Sequence, residues 1–125
     1  MEKVETLNGY QQAAMTTCTN SSNNFSYMML NLVGEVGELA SKVAKAIRKE
    51  KAMIDNNQLI TERGESAMSE EEIRDLRAEL GDCLWQLSGL CSVMDWSLED
   101  IANENLQKLK SRKDRGVIVG NGDNR

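Results

Sequence analysis

Two acidic pairs with a spacing of three, Glu35-Val36-Gly37-Glu38 and Glu79-Leu80-Gly81-Asp82, are the residues of this sequence best suited to chemistry. In a helix, at about 100° per residue, positions three apart share a face, so each pair can present two carboxylates to one ion. Two such pairs on packed helices offer four oxygen donors to one cluster. A hard cation such as Mg²⁺ prefers that ligand set alongside phosphate oxygens. A single Glu-x-x-Glu is usually no more than a solvated helix face. Here each pair lies beside the apolar stripe of its helix, not opposite it, so packing the stripes together draws the acids toward one another. Carboxylates crowded without partners at a core margin are costly, which implies a cation or raised pKa values.

Two further features support a shared site. Leu32-x-x-Glu35-x-x-Glu38-Leu39 repeats the pattern of Leu76-x-x-Glu79-x-x-Asp82-Cys83, as two helices related by approximate two-fold symmetry would. Gly34, Gly37 and Gly81 sit among the acids, where each costs about 1 kcal/mol of helix stability relative to alanine. Close helix approach beside the acids is the expected compensation. Lys42, Lys45 and Lys49 continue the face of Glu35 and Glu38, and they read best as i,i+4 ion pairs such as Glu38 with Lys42. Asn105, Lys108 and Arg112 share a face near the end of the chain. The sequence has no histidine, so a general base must come from another group, most naturally a carboxylate.

The elements that must position these groups are helical. The 125 residues include no proline, are 40% apolar, and favour residues that lose little on entering a helix. Four helical segments are expected: about 7–17, about 25–51, one beginning with the Ser69/Glu72 capping box, and one beginning with a weaker box at Ser97/Asp100. Residues 53–68 interrupt the pattern. Asp55-Asn56-Asn57 and Arg63-Gly64-Glu65-Ser66 read as turns in a loop or small hairpin. From Gly116 the chain is rich in glycine and asparagine, extended or mobile unless something docks it. All of this fits a single domain over 1–125.

The net charge of −5 argues against a binder of nucleic-acid polymers, which needs a basic face. It does not exclude a nucleotide, because a bound cation reverses the sign of an acidic site. Cys18, Cys83 and Cys91 form no C-x-x-C and read as small apolar residues in a reducing compartment. Without an apolar leader or a run of membrane length, the expectation is a cytoplasmic protein with no membrane partner.

The arrangement Glu35-x-x-Glu38 … Glu79-x-x-Asp82 resembles the motif of the MazG-like nucleotide pyrophosphohydrolases, members of the all-α NTP pyrophosphatase superfamily that also holds dimeric dUTPases and dCTP pyrophosphatases. Tyr10-Gln11, Glu79-Leu80-Gly81-Asp82-Cys83-Leu84-Trp85, Asn105-Leu106-Gln107-Lys108-Leu109 with Arg112, and the run from Arg115 to Arg125 are similar to family segments in the same order. The departure is the longer gap between the acidic pairs, which bears on substrate choice. The resemblance implies an all-α, four-helix bundle assembled as a homodimer or homotetramer. It implies hydrolysis of an NTP or dNTP between the α and β phosphates, giving a nucleoside monophosphate and pyrophosphate, in the role of nucleotide-pool house-cleaning. Glu35, Glu38, Glu79 and Asp82 would hold Mg²⁺, with Mn²⁺ a substitute, and Glu38 would also activate the water. Lys108 and Arg112 would hold phosphate oxygens, and Asn105 would hydrogen-bond phosphate or sugar. Trp85 would stack on the base, although core packing is the commoner role for such a residue. Two alternatives stand beside this reading: a non-catalytic oligomerisation or regulatory module that keeps the fold, and a dUTPase or dCTPase of narrow specificity.

Overall fold

Each helix of the chain starts at a side chain that closes its open backbone N–H groups. In the computed structural model, which describes residues 1–125, Thr6 caps α1 (Leu7–Met15) and Asn24 caps α2 (Phe25–Arg48). Ser69 caps α3 (Glu70–Val93) in a complete box, its hydroxyl accepting from the Glu72 N–H while the Glu72 carboxylate accepts from the Ser69 N–H. Ser97 caps α4 (Leu98–Asp114) by accepting from the Asp100 N–H, without the return bond.

The helix ends obey a different signal. Glu50, Asp95 and Gly116 follow α2, α3 and α4 with φ of 60°, 57° and 69°, and the next N–H turns back in each case. Lys51 N donates to Ala46 O, Trp96 N to Cys91 O and Val117 N to Arg112 O, the bonding of a Schellman cap. Only α4 has glycine at that position. The left-handed turn at Glu50 stops α2 at Arg48, three residues short of the expected end near Lys51, and no glycine marks that turn in the sequence.

α2 and α3 pack antiparallel and form the largest helix contact. Met28 lies against Gly89, Asn31 bonds to Gln86, Lys42 pairs with Glu79 and Lys51 with Glu72, so the register runs down one helix as it runs up the other. The close approach is at Gly89, where an added Cβ would lie 2.3 Å from the Met28 sulfur. Gly37 and Gly81 have nothing within 4 Å of such a Cβ, so the approach expected beside the acids occurs instead two turns beyond Asp82.

α1 packs across α3 and the start of α4. Gln11 fastens that corner, donating to Ser92 Oγ (2.9 Å) and Trp96 O (3.0 Å) and accepting from the Leu98 N–H (2.8 Å). Residues 53–68 form two hairpins, not a loop or a single one. β1 (Met53–Asp55) pairs with β2 (Gln58–Ile60) through Asn56 and Asn57, both at positive φ, and β3 (Glu62–Arg63) pairs with β4 (Ser66–Ala67) through Gly64. The all-α expectation therefore holds for the four helices, with this small β excursion added. The tail from Gly116 folds back on the end of α4, where Arg112 donates to Asp123 O and Arg115 to Arg125 O. The Arg125 side chain closes it on itself by donating to the carbonyls of Val117, Ile118 and Gly122. All three cysteines are free thiols, and no helix is long and apolar enough to cross a membrane.

Candidate metal centre

The antiparallel register sets the middle of α2 against the middle of α3, and the acids meet there. Glu35, Glu79 and Asp82 each bring a carboxylate oxygen within 4.8 Å of the others. Glu38 stands outside this group. It lies about 4.5 Å further along the α2 axis and is exposed, although its charge is still felt at Glu35 and Lys42. The four-acid cluster is thus three converging carboxylates with a fourth at the margin.

Burial, then the charges of Asp82 and Glu79, push the Glu35 carboxyl above its ordinary pKa. A hydrogen bond from Asn31 works the other way, and Glu38 adds a last small upward push. A shift of that direction marks a place that disfavours a third negative charge. Three hard oxygen donors in mutual repulsion suit a divalent cation such as Mg²⁺ or Mn²⁺, whose charge would reverse that repulsion. The donor set fits the ion.

Lys42 already answers part of the charge. Its Nζ lies 2.8 Å from Glu79 Oε1, reaching across to α3 where an i,i+4 pair with Glu38 was expected. The hydrogen bond to Glu79 is the main reason its pKa rises, with the charges of Glu79, Asp75 and Glu38 adding to it.

A polar link that the sequence reading missed steadies the cluster. The Asn31 side chain donates to Gln86 Oε1 (2.7 Å) and Glu35 Oε1 (3.2 Å). Gln86, 2% exposed, donates in turn to Met28 O at 3.4 Å. A buried amide held from both sides fixes one helix against the other and aims Glu35. Its signal was present: Asn31 precedes Glu35 by four residues, and Gln86 follows Asp82 by four. Tyr10 of α1 is a further neighbour, its phenol raised in pKa by burial and by the charge of Asp82.

The remaining expected residues lie elsewhere. Trp85 sits on α3 half-buried, its indole N–H donating to Thr17 Oγ1 (2.9 Å) and Ala14 O (3.2 Å), so it ties α3 to the end of α1. Asn105 and Lys108 are exposed and line a shallow depression with Ile101 and Glu104. Arg112 is 7% exposed and donates from Nη2 to Asp123 O at 2.9 Å, which holds the tail. None of these three bonds to the acids, because α4 meets α1 and α3 only near its start.

No solved structure matches the chain. The Gene 37 protein of Mycobacterium phage L5 is 40% identical over 123 residues, covering 93% of this chain and 96% of that protein. The MazG nucleotide pyrophosphohydrolase domain matches residues 23–117. That span takes in α2, both hairpins, α3 and α4, and with them all four acids, so the chain belongs to the MazG nucleotide pyrophosphohydrolase family.

Proposed function

We propose that this chain is a divalent-metal-dependent nucleoside triphosphate pyrophosphohydrolase, which cleaves between the α and β phosphates to give a nucleoside monophosphate and pyrophosphate. The observation that carries the reading is the convergence of Glu35, Glu79 and Asp82 from two helices, in a chain whose family acts on nucleotide pyrophosphate bonds. Glu35, Glu79 and Asp82 would hold the Mg²⁺ ion, which when bound offsets phosphate charge in the transition state. Asn31 and Gln86 keep Glu35 oriented. Glu38, at the solvent margin and charge-coupled to Glu35, takes the proton from the attacking water. The new bond forms from that water oxygen to phosphorus, the α–β bridging bond breaks, and its electron pair leaves with pyrophosphate. Lys42 is placed to trade its contact with Glu79 for a phosphate oxygen.

The working unit in this proposal is an oligomer. Leu30, Val33, Leu80 and Leu106 are 73%, 70%, 56% and 62% exposed, an apolar surface that a single chain of this size leaves uncovered and a second copy would bury. The residues of α4 that stand apart from the acids would then meet a site across such an interface.

A panel of NTPs and dNTPs with Mg²⁺, read for pyrophosphate against orthophosphate, tests the reaction. Pyrophosphate from at least one substrate is expected, with Glu38→Gln losing turnover while still binding Mn²⁺. Absence of pyrophosphate from every substrate would defeat the proposal.

A further inference from the structure

Beside the metal centre, α2 and the first half of α3 enclose a groove of about 150 Å³. One wall is Lys42, Lys45 and Lys49; Glu72 and Asp75 face them, with Ala46 among the lining residues. At 1.5 Å of rise per residue, the lysines step along α2 by about 4.5 Å and then about 6 Å, within about 60° of arc. Lys42 is the link to the centre, since its ammonium lies on Glu79. The groove is therefore an extension of the acid cluster, entered through a cation that touches both.

The other two lysines are unspent. Lys45 and Lys49 make no ion pair, and no side-chain hydrogen bond holds them. On the opposite wall Glu72 is already engaged by Lys51 (3.0 Å) and by the Ser69 N–H (3.0 Å), leaving Asp75 as the one unbonded carboxylate facing them. The balance inside the groove is positive, in a chain whose net charge is −5. Basic residues in the last turn also favour the negative end of a helix, which would explain Lys45 or Arg48 singly. It does not explain three ammonium groups lining one concavity that opens on a metal centre.

We infer that this groove binds the terminal phosphates of the substrate, and pyrophosphate before its release, with Lys45 and Lys49 as the anion-holding residues. The inference rests on the proposed reaction for its substrate, but not for the binding itself. A chain of phosphates anchored at the acids would run past Lys42 to Lys45, with Lys49 at its far end. The groove would then discriminate a triphosphate from shorter nucleotides, because only the longer chain reaches the unspent ammonium groups. Helix α4 of the same chain, to which the family resemblance assigned the phosphates, brings no cation to this place.

The test uses the full chain with inorganic pyrophosphate as the probe. In the Lys45→Ala/Lys49→Ala double variant, inhibition of triphosphate hydrolysis by pyrophosphate should weaken by about tenfold or more. KM for the triphosphate should rise likewise with little change in kcat, while Mn²⁺ binding stays as in the wild type. The Lys45→Arg/Lys49→Arg variant should restore most of the loss. Both lysines are exposed, so helix content by circular dichroism should not change. An unaltered pyrophosphate inhibition constant in the alanine variant overturns the inference. If the wild-type protein hydrolyses no nucleotide, the proposed reaction fails separately. Calorimetric binding of pyrophosphate to wild type and variant, with Mg²⁺ present, then decides the groove by itself.

Discussion

The α2–α3 pair and helix α4 carry the same kinds of residue, an apolar stripe flanked by charge, but the chain treats them differently. Between α2 and α3 the contacts are tight and specific: Met28 on Gly89, Asn31 with Gln86, Lys42 on Glu79. α4 is anchored only where it begins, and its Ile101, Leu106 and Leu109 face outward at 38%, 62% and 42% exposure. The difference teaches that one chain brings the three carboxylates together by itself. In the proposed reaction, the half assigned to Asn105 and Lys108 would act only where another surface meets α4.

The largest effect should come from breaking the half that is already built. Asp82→Asn replaces one of the three converging carboxylates by a neutral amide and should lower kcat/KM by at least about a thousandfold, the scale of several kcal/mol of lost transition-state stabilisation. It should also abolish Mn²⁺ binding, followed by electron paramagnetic resonance. In the metal-free protein the same change removes a repulsive charge from Glu35, so unfolding in urea should show no loss of stability. Lys108→Ala on α4 should cost no more than about a hundredfold in kcat/KM. If the two substitutions proved equal, the division between a built half and a waiting half would collapse.

Packing gives the next largest contrast. Gly89→Ala forces a methyl group to 2.3 Å from the sulfur of Met28, which is fully buried and has little room to turn. A destabilisation of about 1–3 kcal/mol is expected by thermal or urea unfolding. Gly81→Ala meets nothing within 4 Å, so in an isolated chain it should stabilise α3 by up to about 1 kcal/mol. A destabilising Gly81→Ala, with loss of assembly mass in light scattering, would mean that a partner presses on this face and that the glycine serves the oligomer.

The helix starts offer a pH-dependent version of the same comparison. Glu72 closes the full box on α3, and its carboxyl is held down to about 2, first by the Ser69 N–H and then by Lys51. An unfolded glutamate titrates near 4.3. The native state therefore favours the ionised form, so this stabilisation is complete above about pH 4.3 and fades as pH falls toward about 2. Wild type should exceed Glu72→Gln in urea-unfolding stability at pH 7, and the gap should narrow steadily between pH 5 and pH 2. Asp100→Asn at the one-sided box of α4 should show a smaller gap at every pH.

How much of this was legible in the sequence follows the same division. The N-caps at Ser69 and Ser97 were readable because a hydroxyl followed three residues later by an acid has a local bonding reason. The C-terminal ends of α2 and α3 were not, because Glu50 and Asp95 take the left-handed conformation without glycine. The acids were legible through their angle beside the apolar stripe, which depends only on helix geometry. Which three converge, and that Lys42 crosses to Glu79, depends on the register of two helices, and no local spacing encodes that. Arg112 was placed with the phosphates by the family resemblance, on a face of α4 that it shares with Asn105 and Lys108. Its capture by the Asp123 carbonyl depends on the tail folding back, a long-range event with no periodic mark.

The smallest effect belongs to two ion pairs that look alike on paper. Lys42–Glu79 joins two helices with Glu79 only 12% exposed, whereas Lys110–Asp114 is an i,i+4 pair on α4 with 77% and 57% exposure. Solvent screens the second pair on both sides. Its order is also the weaker one, with the base N-terminal to the acid, and it sets an aspartate at the negative end of the helix dipole. Attraction and dipole repulsion nearly cancel, so Asp114→Asn should change unfolding free energy by less than about half a kcal/mol, with either sign allowed. High salt should leave that difference unmoved. If Asp114→Asn instead destabilised the protein by more than about 1 kcal/mol, the end of α4 would be engaged with something the single chain does not contain. Its contrast with α2–α3 would then be one of partners, not of packing.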